Sequence, residues 1–146
     1  MKIKVINGPN LNMLGIREPE IYGKMTLTEM NEIILKEAEK LDITLEFYQS
    51  NHEGDIIDKI QQCYQHADGI IINPGAYSHY SYAIRDAISS VQIPTIEVHL
   101  SDISSREYFR RTSVIEDVVE KQISGKGIAS YLEALQYLSA KAKERK

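Results

Sequence analysis

The chain has 146 residues, 42% of them hydrophobic, and a formal net charge of -4. A chain of that length forms one domain of ordinary size, residues 1–146, and buries roughly two-thirds of its surface without a disulfide or metal staple. The acidic balance argues against nucleic acid as a partner, the single cysteine, Cys63, excludes an internal disulfide and fits a reducing compartment, and no apolar run approaches the ~18 residues of a membrane span.

In chain order, short β-rich runs alternate with helical patterns. Residues 1–8, MKIKVING, lack the long apolar core of a secretory signal, and a cytoplasmic protein is expected. They run straight into a strand over 3–6, closed by the turn residues Asn7-Gly8-Pro9. Residues 26–41 read as a helix: Thr26 can cap it, Glu29 stands three positions on, and Met30, Ile33, Ile34 and Leu41 form an apolar stripe. A second strand over 43–48 is followed by Ser50-Asn51-His52. A second helix over 55–67 sets Ile56, Ile60, Cys63 and Ala67 on one face, which makes Cys63 a core residue rather than a catalytic one. Residues 69–72 are a continuous apolar run, stopped by Asn73-Pro74-Gly75, of the kind that suits a parallel strand covered on both faces. A helix over 81–91, a fourth strand over 95–98, a fifth over 118–123 and a C-terminal helix over 128–143 follow, and the charges of 141–146 read as a solvated tail. Right-handed crossovers turn this order into an α/β fold, a doubly wound five-stranded parallel sheet with helices on both faces. The flavodoxin-like strand order 2-1-3-4-5 is the first choice.

Ligands of such open sheets bind beyond the carboxyl ends of the strands. Asn7 and Asn10 follow the first strand, and Asn51, His52 and Glu53 the second. Asn73, Ser78 and His79 follow the third, while Glu97, His99 and Ser101 stand at or past the end of the fourth. Three of the four histidines fall at these ends; His66, at a helix end, reads as a cap or surface residue. Residues 11–25 separate the first strand from the first helix, where about two to six residues are usual. With Arg17, Glu18, Glu20 and Tyr22 between the hinge candidates Gly15 and Gly23, this segment reads as a lid, the alternative being a plain surface loop.

Much chemistry is excluded. The first strand is followed by no GxGxxG, no P-loop and no Ser/Thr-rich flavin-phosphate loop, and Ser124-Gly125-Lys126-Gly127 has the wrong spacing for a phosphate loop and reads as a strand-to-helix turn. There is no CxxC pair and no GxSxG elbow, and His52, His79, His99 and Glu97 sit in no metal-ligand motif, so neither metal nor cofactor is expected. What is left is proton-transfer chemistry run by a base, an acid and hydrogen-bond donors for a developing oxyanion. The competing class is a flavodoxin-like receiver or binding module without catalysis. A receiver needs an acidic cluster where this chain has Asn7-Gly8-Pro9-Asn10, and a flavin carrier would be yellow on purification.

Five ordered blocks carry a resemblance. They are Asn7-Gly8-Pro9-Asn10-Leu11-Asn12-Met13-Leu14-Gly15 with Arg17-Glu18-Pro19 and Tyr22-Gly23; Gln49-Ser50-Asn51-His52-Glu53-Gly54; Ile72-Asn73-Pro74-Gly75-Ala76-Tyr77-Ser78-His79; Arg85-Asp86-Ala87; and Glu97-Val98-His99-Leu100-Ser101. Over about residues 3–138 the chain resembles the type II 3-dehydroquinate dehydratases. The resemblance implies a flavodoxin-like, cofactor-free enzyme that removes water from 3-dehydroquinate to give 3-dehydroshikimate, in the shikimate pathway leading to chorismate and the aromatic amino acids or in quinate breakdown. It also implies a homododecamer, a tetramer of trimers. By position, Tyr22 resembles the base, Arg17 its lid partner, Asn10 the residue that stabilises the enolate through a water, His99 the acid and Glu97 its support. Asn73, His79, Arg110 and the Leu100-Ser101 backbone resemble the contacts to substrate hydroxyls and carboxylate, and Asp86 a residue reaching a neighbouring subunit's site. Two positions depart from the family pattern: Arg111 follows Arg110 where histidine is usual, and Tyr80 stands where threonine is common. A related elimination on a different hydroxy-ketone acid is the alternative within enzymes.

The implied chemistry is physically coherent. A tyrosine ordinarily titrates near 10, and lowering that by ~2–3 units takes roughly 3–4 kcal/mol of preference for the anion. One nearby cation shifts a pKa by ~1–3 units, so Arg17, five residues upstream, can supply most of that once a closed lid excludes water. Asparagine donors and Arg110 suit an enolate carrying a carboxylate, and an imidazole suits a leaving hydroxyl because its ordinary pKa lies near neutrality.

Overall fold

Asn7, Gln49 and Asn73 stand level with one another at the carboxyl ends of three neighbouring parallel strands, and this register brings the polar strand ends together. The computed structural model describes residues 1–16 and 18–144, with Tyr22 described by its backbone alone. In chain order the elements are β1 (Lys2–Asn7), α1 (Pro19–Tyr22), α2 (Leu27–Lys40), β2 (Thr44–Gln49), α3 (Glu53–Gln62), β3 (Gly69–Asn73), α4 (Tyr82–Val91), β4 (Thr95–Val98), β5 (Lys121–Ile123) and α5 (Ala129–Glu144). Every ladder is parallel and the strand order is β2-β1-β3-β4-β5, the doubly wound α/β arrangement that the sequence pattern predicts.

Central β3 is buried along its whole length, which is why its sequence, Gly-Ile-Ile-Ile-Asn, does not alternate. On one face of the sheet Ile3, Val5, Ile71 and Ile96 pack with Met30 and Ile34 of α2 and Tyr131 and Leu135 of α5. On the other, Ile6, Ile70 and Ile72 pack with Ile56 and Ile60 of α3 and Ile84 and Ile88 of α4. Burying each such side chain is worth about 1.5–3 kcal/mol. Cys63 lies in this second cluster, and burial pushes its thiol above the ordinary range, as suits a packing residue.

The predicted cap of α2 is present as a reciprocal pair: Thr26 Oγ1 accepts from the Glu29 amide at 3.2 Å and Glu29 Oε1 accepts from the Thr26 amide at 3.3 Å. Such a cap contributes about 1 kcal/mol. Gly8 fills a steric role. Its amide donates to the Asn73 carbonyl at 2.7 Å, and a Cβ there would lie 2.5 Å from the Pro74 oxygen. Only glycine lets the ends of β1 and β3 close up this far.

Three local expectations are corrected. β5 spans three residues rather than 118–123, because it pairs only with Ile96, Glu97 and Val98, while Val118 belongs to a 3-10 turn and packs on the second cluster instead. Ile33 is exposed: the buried line of α2 runs Met30, Ile34, Ala38, at strict four-residue steps, and Ile33 falls off its margin. The second helix starts at Glu53 and ends at Gln62, after which single turns carry the chain past Cys63 to Ala67. The segment 11–25, read from the sequence as a lid, holds a 3-10 turn at Leu11–Met13 and the four-residue α1.

Candidate active site

A cleft opens beyond the carboxyl ends of β1, β3 and β4, with about 540 Å³ of empty space including its mouth. Asn10, Asn73, His79, His99, Leu100, Ser101 and Arg110, seven of the residues predicted from the sequence, line it. Glu97 does not line it but stands directly behind His99. Asp86 is exposed on α4 and is not brought to the cleft, and His52, exposed at the start of α3, is not either. The predictions for Arg17 and for the Tyr22 side chain lie outside the described residues.

Glu97 is fully buried on β4, and its Oε2 sits 2.5 Å from His99 Nε2. Ser113 Oγ donates to the same oxygen at 2.7 Å, and Oε1 has no hydrogen-bond partner among the described residues. A buried carboxylate against one ring nitrogen orients the imidazole and leaves Nδ1 as its working atom. His99 itself is 5% exposed, so this atom acts from a nearly dry wall.

His79 is held differently. Its Nδ1 lies 2.8 Å from the Thr112 carbonyl, which can only accept, so Nδ1 carries the proton and Nε2 is left to accept from a ligand. Burial lowers its pKa, the Thr112 carbonyl opposes that, and the nearby His99 and Arg110 lower it further. Arg110 donates through Nε to Glu107 at 2.6 Å, and this bond holds the Glu107 carboxyl below the ordinary carboxylate range.

Asn73 is fixed by a buried chain of three side chains that sequence reasoning did not find. Tyr131 of α5 donates to Asn7 Oδ1 at 2.6 Å, and the Tyr131 oxygen accepts from Asn73 Nδ2 at 3.0 Å. Asn73 Oδ1 accepts from the Gly75 amide at 3.1 Å. One Nδ2–H is therefore the Asn73 group free to reach a ligand. Complete burial raises the Tyr131 pKa, so its hydroxyl stays protonated and the polarity of the chain is fixed.

Arg106 was missed as well. It lines the cleft with its side chain only 12% exposed, donates to Ser101 Oγ at 3.2 Å and stands 3.7 Å from Glu18 across the base of the segment 11–25. The cleft thus combines two cations, amide donors and a buried acid–imidazole pair, a set suited to binding an anion and moving a proton beside it. Among the described residues no three His, Cys, Asp or Glu side chains converge as metal ligands.

A family model described as dehydroquinase class II matches residues 1–139. The chain is 60% identical over 135 residues, 92% of its length and 93% of the other's, to a protein of Caldicellulosiruptor saccharolyticus named 3-dehydroquinate dehydratase. It is 53% identical, over 92% of its length and 90% of the other's, to the Bacillus subtilis protein of that name. The crystal structure of type II dehydroquinase from Butyrivibrio crossotus superposes with a TM-score of 0.93 at 55% identity, covering 94% of this chain and 97% of that one.

Proposed function

With the chain a member of the class II dehydroquinase family, and so a 3-dehydroquinate dehydratase and hydro-lyase, we propose that it eliminates water from 3-dehydroquinate through an enolate, with Tyr22 as base and His99 as acid. The observation that carries the acid's role is the buried Glu97–His99 pair, whose imidazole opens on a cleft lined by Arg106 and Arg110. Tyr22, held as tyrosinate by Arg17, takes the proton from the carbon beside the ketone. Asn10 stabilises the enolate oxygen through a water. His99 then gives a proton to the departing hydroxyl, which leaves as water, and the double bond forms. The proton on Tyr22 returns through solvent to His99, so nothing is consumed. Removing an acid or base of this kind typically costs about 10²–10⁴-fold in rate.

In this reading the substrate carboxylate lies against the Leu100 and Ser101 amides, and Asn73, His79 and Arg110 hold its hydroxyls and charge. Asp86, exposed on α4, reaches the cleft of a neighbouring copy, which accords with a trimer-based dodecamer. A cytoplasmic location belongs to the same reading; among the described residues no helix is long and apolar enough to cross a membrane. The test is to add 3-dehydroquinate to chelator-treated protein and follow the ultraviolet absorbance of the enone product. A steady rise is expected, and no rise with folded protein overturns the proposal.

A further inference from the structure

The Ser124-Gly125-Lys126-Gly127 turn has no place among the residues lining the cleft, yet it bonds to the wall that does. Three successive carbonyls each accept one hydrogen bond from this turn or from the start of α5. His99 O accepts from Ser130 Oγ at 3.1 Å, Leu100 O from the Gly127 amide at 3.0 Å, and Ser101 O from the Gly125 amide at 3.1 Å. A trans peptide is planar, with its C=O and N–H pointing in opposite directions, and the described residues hold no cis peptide. Holding the His99 and Leu100 carbonyls on the α5 side therefore turns the amides of Leu100 and Ser101 the other way, toward the cleft that both residues line. Neither amide donates to an acceptor among the described residues. Two adjacent amides aimed into one cavity form the concavity that an oxyanion fits.

We propose that residues 125–130 are positioning residues that hold the Leu100 and Ser101 amides as a preset receptor for the substrate's carboxylate. The proposal rests on the reading of those two amides as the carboxylate contact. The turn reaches its bonding pose through left-handed backbone, φ +81° at Gly125 and +57° at Gly127. A Cβ on Gly125 would come within 3.1 Å of Asp102 Cβ, whereas a Cβ on Gly127 meets nothing within 4 Å. Gly127 thus allows backbone conformation to be tested apart from bulk. A β-branched residue resists φ near +57°, and asparagine tolerates it.

The experiment compares binding of 3-dehydroshikimate and its carboxamide, by calorimetry, in the unaltered protein, Gly127→Val and Gly127→Asn. The unaltered protein is expected to prefer the acid. Gly127→Val loses roughly tenfold or more of its affinity for the acid, the scale of one charge-assisted hydrogen bond. Its affinity for the carboxamide changes little, and Gly127→Asn recovers most of the loss. In turnover of 3-dehydroquinate, Gly127→Val raises KM more than it lowers kcat. If Gly127→Val does not fold, Ser130→Ala, which releases only the His99 carbonyl, carries the same comparison with a smaller loss of preference. Equal affinity for acid and carboxamide in the unaltered protein removes the carboxylate reading and this proposal with it. A preference present in the unaltered protein and undiminished in the variants overturns the positioning role alone.

Discussion

The two sides of the cleft are built to different standards of order. At the strand ends, Asn73 is 4% exposed, His99 5% and Glu97 not at all, and each is tied by a hydrogen bond to a partner distant in sequence, Tyr131, Ser130 and Ser113 in turn. In the segment 11–25, of which Leu11 and Leu14 reach the cleft, Ile16 is 73% exposed and Ile21 42%, Glu18 takes a left-handed φ of 39°, and α1 is four residues long. Leu11 and Leu14 are buried in the first cluster, but past Leu14 the described apolar side chains Ile16, Ile21 and Met25 are all exposed, the sparse packing from which lids are drawn. Under the proposed function the acid stands on the well-packed strand ends and the base comes from the segment 11–25. Closing that segment over the substrate and generating the tyrosinate are then a single event, since Arg17 acts on Tyr22 only where water is excluded.

That contrast can be broken at several points. The largest effect is expected from His99→Ala, which lowers kcat about 10²–10⁴-fold with little change in substrate binding. Normal kcat with only a raised KM would remove His99 from the chemistry. Arg17→Lys tests the labile side: a fixed fork is replaced by a mobile point charge, and turnover falls roughly a hundredfold. Nearly full turnover would show that Tyr22 does not depend on a planar guanidinium. Tyr131→Phe probes the rigid side without touching the cleft. It leaves buried Asn7 Oδ1 without its donor, so urea unfolding is expected to show about 1–2 kcal/mol less stability, with a loss of kcat/KM as Asn73 loses its anchor. Unchanged values would mean that the bridge is slack.

The smallest effect concerns pH. Burial holds the His79 pKa below its ordinary 6.5, so the unfolded chain takes up that proton first. The stability gained from a neutral His79 is complete above about 6.5 and is lost as pH falls through that value toward the lower folded pKa. Urea midpoints measured from pH 7 to 5 should decline less steeply in His79→Gln, and an identical decline would exclude His79 as a source of the slope.

The fold was legible because its signals are local. Apolar runs closed by Asn-Gly-Pro and Asn-Pro-Gly marked strands, the Thr26–Glu29 pair marked a helix start, and strand–helix alternation with right-handed crossovers implied the sheet. The same logic found Asn10, Asn73, His79 and His99, since strand ends in such a sheet converge. It overextended β5, whose length depends on how much of β4 is left to pair with, and it put Ile33 in the core although only the packing of α2 decides the margin of its stripe.

What the sequence determined by itself was the order of the elements, the end of the sheet where ligands bind, and most of the side chains waiting there. What only the tertiary structure decided was how those side chains are held. Tyr131 reaches Asn7 across 124 positions and Asn73 across 58, Ser130 reaches His99 across 31, and Ser113 reaches Glu97 across 16. Hydrogen bonds between such distant positions leave no period or spacing in the chain; they exist only once the tertiary fold has brought α5 and the loop at Ser113 beside the strand ends.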